Sequence, residues 1–366
     1  MSIPFVDFRP QYEEVKNEVD SGVKKVFEKG NFILGQEEKD FEVNFAQYCQ
    51  TQYGIGVNSG TDALHLGLRA LGVGPGDEVI VPTFTFIASA LAISYTGATP
   101  VFADIEDDIY AIKADTIESL ITEKTKAIMP VHLYGQPANL DEILKIAQKH
   151  NLKIIEDCAQ AHGALYRNKK IGSFGDLGCF SFYPTKGLGA FGDGGFISTN
   201  SKDLYEKILM LRDYGRKGRY EHIIKGYNSR LDTVQAVVLE AKLKHFDKWN
   251  QMRNQAVERY VELLSEIDGV KVPIIKEGRT HTFQTFAICT KNRDEVCEKM
   301  QQKGIGVLIH YPIPIHLQKA YEELGYKKGD LPIAEKVSEE ILSLPMFPHI
   351  QKEQIDLVCT TLKECL

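Results

Sequence analysis

Lys153-Ile154-Ile155-Glu156-Asp157-Cys158-Ala159-Gln160-Ala161-His162-Gly163 is an apolar run that breaks into two adjacent acids. Residues 153–156 read as a strand. Burying a carboxylate at the end of such a strand is costly unless a cation or hydrogen-bond donors meet it. Working toward the N-terminus, the same texture recurs. Short apolar runs at 55–57, 78–82, 100–103 and 127–131 alternate with helical patterns at 61–71, 84–95, 115–121 and 140–150. Strand, turn and helix in repetition predict an α/β fold: a mainly parallel sheet covered on both faces, with right-handed crossovers. Ligands in open sheets of this kind bind beyond the carboxyl ends of the strands, where the two acids fall. Upstream, 12–29 and 36–48 read as amphipathic helices around a turn bracketed by Gly30 and Gly35.

Toward the C-terminus comes Phe180-Ser181-Phe182-Tyr183-Pro184-Thr185-Lys186-Gly187-Leu188-Gly189-Ala190-Phe191-Gly192-Asp193-Gly194-Gly195. A strand at 179–183 enters the interior, a proline stops it, and glycines let the chain turn after Lys186. A lysine taken partly out of water has a lowered pKa, and its neutral amine can form a Schiff base. The plain alternative is a solvated turn lysine.

Three more segments close the constellation. Asn58-Ser59-Gly60-Thr61-Asp62-Ala63-Leu64 joins a strand to a helix. Small hydroxyls and a glycine at a helix N-terminus make an anion site, or a simple N-cap. Pro82-Thr83-Phe84-Thr85-Phe86-Ile87-Ala88 ends a strand with aromatics. Phe86 could stack on a flat ring, and core packing is the alternative for it and for Phe84. Gly226-Tyr227-Asn228-Ser229-Arg230-Leu231-Asp232 carries an Asn and an Arg that could reach a phosphate or carboxylate, or form a turn and cap. Taken together these are the parts of a pyridoxal phosphate site. They supply a phosphate cradle, a ring-stacking aromatic, an acid for the pyridine nitrogen and a lysine that holds the aldehyde as an imine.

The bulk properties fit a soluble protein. The chain has 366 residues, 43% hydrophobic and 25% charged. No apolar stretch could span a bilayer, and the first 11 residues carry charges and prolines where a signal peptide would be apolar, so a cytoplasmic protein is expected. The net charge of −7 argues against general nucleic-acid binding. Seven scattered cysteines, none in a Cys-x-x-Cys pair, indicate neither a disulfide frame nor a zinc site.

Beyond residue 203 the texture changes. A helix at 203–214 leads through a polar loop to about residue 230, then a long helical pattern covers 233–264. Strands at 282–289 and 305–309 and helices at 294–303, 333–341 and 352–363 follow. These place a large domain at 1–240 and a smaller C-terminal α+β domain at 241–366.

Along nearly its whole length the chain resembles the DegT/DnrJ-type sugar-nucleotide aminotransferases, which have the aspartate-aminotransferase-like (type I) fold. The motifs are Ser59-Gly60-Thr61-Asp62-Ala63-Leu64, Val131-His132-Leu133-Tyr134-Gly135-Gln136, Glu156-Asp157-Cys158-Ala159-Gln160-Ala161-His162-Gly163 and the lysine segment. The resemblance implies pyridoxal 5'-phosphate as cofactor, Lys186 as its Schiff-base lysine and catalytic residue, and Asp157 at the pyridine nitrogen. It implies Phe86 on the ring, Gln160 near the phenolic oxygen, and Gly60, Thr61, Asp62 and Ser181 on the phosphate. Asn228 would reach the cofactor phosphate of the other subunit in an obligatory homodimer.

Lysine at 186, where dehydratase relatives carry histidine, favours transamination. Tyr183 and Gly192-Asp193-Gly194-Gly195 look like the branch that acts on 3-keto rather than 4-keto sugars. One departure is Gly187, where most relatives have asparagine. The expected reaction moves the amino group of L-glutamate to a dTDP-linked 3-keto-6-deoxyhexose. The basic cluster Arg212, Arg216, Lys217, Arg219 and Arg230 is the candidate diphosphate site, or a solvated charge run. Tyr183, His310-Tyr311 and His316 are candidates for the sugar pocket. The alternatives are a UDP-linked 3-keto or a 4-keto substrate, a dehydratase, and a non-enzymatic regulator.

Overall fold

Strands buried on both faces are built from continuous β-branched and aromatic runs, here Val79-Ile80-Val81, Ile154-Ile155 and Phe196-Ile197. The computed structural model describes residues 2–366. Seven strands form the main sheet: β1 (Tyr53–Val57), β2 (Glu78–Pro82), β3 (Thr99–Ala103), β4 (Thr125–Ile128), β5 (Lys153–Asp157), β6 (Leu177–Ser181) and β7 (Gly195–Thr199). Their order is β1-β7-β6-β5-β4-β2-β3. The β2–β3, β2–β4, β4–β5 and β5–β6 pairings are parallel, and β7 is antiparallel to both β6 and β1. Six strands therefore point the same way, and their carboxyl ends share one edge. The mainly parallel α/β architecture is as the sequence predicts.

Helices cover both faces. Gly60–Ala70 lies close on one of them, because a Cβ on Gly67 would come within 2.8 Å of Ile155. On the other face, Gln36–Tyr48 and Thr233–Leu243 enclose an aromatic cluster of Phe41, Phe45, Phe180, Phe182 and Phe196. The Phe45 and Phe196 rings meet edge to face at 4.8 Å, a geometry worth about 0.5–1.5 kcal/mol beyond area burial. A third core gathers Tyr260, Phe286, Ile288, Leu342, Leu344, Val358 and Leu362. It is built on a small antiparallel sheet of Val270–Lys271, Phe286–Thr290 and Ile341–Leu344. Ile3 belongs to this core as well, bridged to Ile305.

The structure corrects several boundaries. The helical pattern at 233–264 is two helices, Thr233–Leu243 and Phe246–Leu264. No glycine or proline marks the break. The first helix packs on the sheet and the second leads into the third core, so tertiary packing redirects the chain. Residues 305–309 form only isolated bridges, Ile305 to Ile3 and Leu308 to Ser343. The strand that pairs with Phe286–Thr290 is Ile341–Leu344, which begins where the helix Pro332–Glu340 stops. The helix expected at 84–95 starts at Ala88, leaving Thr83–Phe86 free to reach the sheet edge. β7 was not anticipated as a strand.

Candidate active site

At the shared carboxyl edge lies a cavity of about 300 Å³, at the small end of the range for ligand pockets. Four strand ends supply its floor: Ser59 to Thr61 after β1, Thr85 and Phe86 after β2, Val131 after β4, and Asp157 on β5. Ser181, Tyr183, Thr185 and Lys186 come from the end of β6 and the turn beyond it, and Asp193 and Gly194 from the approach to β7. His310 and Tyr311 close it from the C-terminal side.

Lys186 sits on a tight turn. Its amide donates to the Tyr183 carbonyl at 2.8 Å, and the Ala190 amide to the Phe182 carbonyl at 2.8 Å. Gln284 donates to the Thr185 carbonyl at 3.2 Å. The turn closes so tightly that a Cβ on Gly189 would lie 2.3 Å from the Pro184 carbonyl oxygen. Loss of water pulls the Lys186 pKa down to about 8, against the opposing pull of the Asp157 carboxylate. A substantial share of its amine is therefore neutral near physiological pH, as a nucleophile requires.

The two adjacent acids have different work, because successive side chains on a strand point to opposite sides. Glu156 is buried in protein. Its oxygens accept from His132 Nε2 at 3.1 Å and from the amides of Gly172, Phe174 and Gly175 at 2.9 Å. His132 Nδ1 accepts from the Ala138 amide, which places the ring proton on Nε2. Burial works to raise the Glu156 pKa, but these donors win and hold it below the usual range. The geometric trio of His132, Glu156 and Cys158 is thus a satisfied hydrogen-bond network. Asp157 faces the cavity. It accepts from Ser89 Oγ at 2.8 Å and from the Ala159 amide at 3.1 Å. Burial raises its pKa, opposed by Ser89, Ala159 and Lys186. A cation in the cavity would stabilise this carboxylate, and a protonated ring nitrogen is such a group.

The cradle after β1 fits a phosphate. Ser59 caps the helix Gly60–Ala70 by accepting from the Asp62 amide at 3.1 Å. The amides of Gly60 and Thr61 find no acceptor among the described residues and sit at the positive end of the helix dipole. Gly60 is required by close approach, since a Cβ there would stand 2.5 Å from the Ser181 Cβ. Asp62 contributes its amide to the cap, and its side chain does not line the cavity.

Of the two phenylalanines after β2, Phe84 is fully buried and Phe86 is 53% exposed, its ring open to the cavity. Phe86 also lies 5.9 Å from the Tyr311 ring. Gln160 is fixed at both ends: its oxygen accepts from the Tyr134 amide at 2.9 Å, and its nitrogen donates to the Tyr311 hydroxyl at 3.1 Å. The motif at 131–136 is therefore the frame beside the cavity. His132 anchors Glu156, Tyr134 holds Gln160 and donates to the His310 carbonyl, and Gln136 donates to the Ile274 carbonyl.

The substrate candidates divide. Tyr183 and His310 line the cavity. Burial, with Lys186 adding to it, pushes the His310 pKa down to about 4, and its Nδ1 meets Ser343 Oγ at 2.9 Å. Arg212 is a correction. It is 6% exposed and spends its guanidinium on Glu38, Glu42 and the Gly56 carbonyl, bracing β1 from behind. His316 is a second correction. It is buried between Thr83 and Glu335, outside the cavity lining. Arg216 and Arg230 both pair with Asp213. Lys217 and Arg219 are exposed near a short hairpin, and with Arg230 and the exposed Asn228 they lie outside the lining of their own protomer's cavity. Sequence reasoning missed Ser89, the partner of Asp157, and Thr185. Ser89 is the second residue of the helix Ala88–Tyr95, with no motif to single it out. Tyr311, named beside His310 for the sugar pocket, also lines the cavity, where its hydroxyl accepts from Gln160.

Gly187 carries no conformational requirement: a Cβ there would meet Phe246 at an ordinary 3.5 Å. His162, within the same aromatic cluster, is buried and held neutral.

Comparison with known proteins agrees with this chemistry. The chain is 46% identical to a dTDP-3-amino-3,6-dideoxy-alpha-D-galactopyranose transaminase of Aneurinibacillus thermoaerophilus, over 97% of each chain. It is 46% identical to a UDP-N-acetyl-3-dehydro-alpha-D-glucosamine 3-aminotransferase of Acidithiobacillus ferrooxidans, covering 100% of this chain and 98% of that one. The crystal structure of Streptomyces venezuelae DesV in complex with a ketimine intermediate superimposes with a TM-score of 0.97 at 44% identity, covering 99% and 98% of the two chains. Solved aminotransferases of this fold carry pyridoxal 5'-phosphate or its pyridoxamine form, the cofactor for which the cavity has a phosphate cradle, an acid and a lysine. Residues 13–363 match one family model, and the chain belongs to the DegT/DnrJ/EryC1/StrS aminotransferase family.

Proposed function

We propose that this aminotransferase moves the amino group of L-glutamate to carbon 3 of a dTDP-linked 3-keto-6-deoxyhexose, giving a dTDP-3-amino-3,6-dideoxyhexose and 2-oxoglutarate. The observation that carries the reading is the turn bearing Lys186, which presents Tyr183, Lys186 and Asp193 to one cavity opposite Asp157. The relative from Aneurinibacillus thermoaerophilus, named for such a product, supports the substrate class.

Pyridoxal phosphate, when bound, supplies an aldehyde that takes up the amino group and a ring that accepts the electron pair freed at the substrate carbon. The Gly60 and Thr61 amides and the Ser181 hydroxyl would hold its phosphate. Asp157 would keep the ring nitrogen protonated, and Phe86 would cover the ring. Lys186, with its lowered pKa, is the group that takes a proton from glutamate and later returns one to the sugar carbon. Over both halves, nitrogen passes from glutamate to sugar; one water supplies the keto oxygen of 2-oxoglutarate and the sugar's keto oxygen leaves as another, so no net water is made or consumed. Neutral His310 and Tyr183 would meet sugar hydroxyls.

Among the described residues, Lys186 is the one lysine or arginine lining the cavity, so the diphosphate must be met from elsewhere. We read the assembly as a twofold homodimer in which the exposed Lys217, Arg219 and Asn228 of one protomer reach the cavity of the other. The division at 240 and 241 into two domains is our reading: the third core draws mainly on residues from Ala256 onward, joined by Ile3, while Ala241, Phe246 and Trp249 still pack in the core of the large domain. Among the described residues no helix is long and apolar enough to cross a membrane. We place the enzyme in the cytoplasm. A UDP-linked 3-keto sugar is the second reading, supported by the relative from Acidithiobacillus ferrooxidans at equal identity. The test is a panel of dTDP- and UDP-linked 3-keto and 4-keto sugars with glutamate, reading which carbon gains nitrogen. Amination of 4-keto substrates alone would sink the proposal.

A further inference from the structure

Lys242 lies in the helix Thr233–Leu243 and is 3% exposed. A buried ammonium is normally met by a carboxylate, yet among the described residues Lys242 forms no ion pair. Its nitrogen donates to the Gly189 carbonyl at 2.5 Å and stands 4.5 Å from the centre of the Phe191 ring. Loss of water, and then the charge of Arg253, push its pKa down to about 8. Arg253 is itself buried, and among the described residues it forms no ion pair and donates to the Asn250 side-chain oxygen at 3.2 Å. About two turns earlier on the same helix, Gln235 grips the next stretch of the same loop. Its oxygen accepts from the Phe191 amide at 2.9 Å and its nitrogen donates to the Phe191 carbonyl at 3.4 Å. A Cβ on Gly192 would come within 2.8 Å of that nitrogen, so the loop is pressed onto the helix at this point.

Both contacts fall on the return half of the turn that carries Lys186. The outgoing half cannot shift independently, because Gly189 closes against the Pro184 carbonyl and Ala190 is bonded to Phe182. A costly unpaired cation placed on a single backbone carbonyl is accounted for if holding that carbonyl matters to the site. We propose that Lys242 and Gln235 are positioning residues that clamp the 189–191 segment onto the helix Thr233–Leu243 and thereby set where Lys186 stands in the cavity. Lys242 does so through a charge-assisted hydrogen bond to a carbonyl and a cation–π contact, and neither residue touches the substrate or cofactor.

The inference rests on Lys186 as the residue that condenses with the cofactor's aldehyde, and the test separates the two. Apo-protein is mixed with pyridoxal 5'-phosphate, and the rate of covalent capture is followed by absorbance as a function of pH, with borohydride trapping and mass spectrometry to locate the adduct. Lys242→Met slows capture at Lys186 by about 10- to 100-fold, the penalty typical of a misplaced reactive group, and moves its pH midpoint. Lys242→Arg restores the rate to within about threefold, because a cationic donor is again available. If Lys242→Met captured the aldehyde at the parent rate and midpoint while losing only heat stability, Lys242 would be a packing residue and the proposal would be overturned. Should that variant not fold, Gln235→Ala decides: slower capture supports the clamp, and parent-like capture overturns it. A Lys186→Ala protein that still captured the aldehyde at the parent rate, with the trapped adduct on another lysine, would refute the assignment of Lys186 as the condensing residue, an outcome distinct from either result for Lys242→Met.

Discussion

Lys186 is distinguished by what surrounds its amine. It has lost most of its water and meets only one carboxylate, so its proton leaves at about 8 rather than at 10.5. The folded chain then binds fewer protons than the unfolded chain between those two values. Stability contributed through this group therefore rises with pH across that window, and below about 8 the full cost of a buried ammonium is carried. The chemical counterpart is an expected outcome. Capture of pyridoxal phosphate by the apo-protein rises with pH and levels off above about 8, and a midpoint near the ordinary lysine value would contradict the burial argument. That Lys186 belongs with the cavity was legible only from its company, the 59–63 cradle, Phe86 and Asp157, because Pro184 and the following glycines alone fit a solvated turn lysine as well. Which of Glu156 and Asp157 faces the cavity was not, in physical terms, because the partners that absorb Glu156 are backbone amides of Gly172, Phe174 and Gly175. Amides carry no residue signature. The basic cluster misled for the opposite reason: Arg212 has a strong signature, but Glu38 and Glu42, 174 and 170 residues away, had already claimed it.

Among the elements, the helix Gly60–Ala70 does most to shape the site. Its first amides are left free by the turn from β1, and its first residue must be glycine because β6 passes so near. Gly60→Ala is expected to fold, since the intruding methyl meets the Ser181 side chain at the rim of a cavity rather than in a core. The shift that relieves the clash moves the Gly60 and Thr61 amides off the phosphate and forfeits a charge-assisted hydrogen bond of about 1.5–3 kcal/mol, so affinity for pyridoxal 5'-phosphate falls by roughly 10- to 150-fold. Binding of pyridoxal, which lacks the phosphate, changes little. Equilibrium titration of both compounds checks this, and an equal loss for the two would place the damage outside the phosphate cradle. The parallel strands were legible because each stood between turn signals and a helix. β7 was hidden because it follows a glycine-rich loop directly and runs against its neighbours, a direction that no local pattern encodes. The strand Ile341–Leu344 was lost for a related reason: its apolar run continues the face of the preceding helix, and only pairing with Phe286–Thr290 decides its conformation.

At the scale of the whole molecule, Lys186 is the one lysine or arginine among the described residues that line the protomer's cavity, while Asn228 stands exposed on a segment bridged to Asp213. If Asn228 serves the cofactor of the partner subunit, two inactive variants should repair each other. Lys186→Ala removes the lysine of its own site, and Asn228→Ala removes a residue from the neighbouring site. In a mixed dimer one site then carries both defects and the other carries neither. Random exchange of equal amounts makes half of the dimers mixed, with one intact site in each, so the mixture recovers about a quarter of the parent activity under twofold assembly. A residue acting within its own protomer gives no such recovery, because both sites of every mixed dimer stay defective. The measurement is transaminase activity after unfolding and joint refolding of the two variants, with each refolded alone as the baseline. Recovery well above the sum of the baselines supports an active site shared between subunits, and its absence in a mixture shown to contain mixed dimers assigns Asn228 to its own chain.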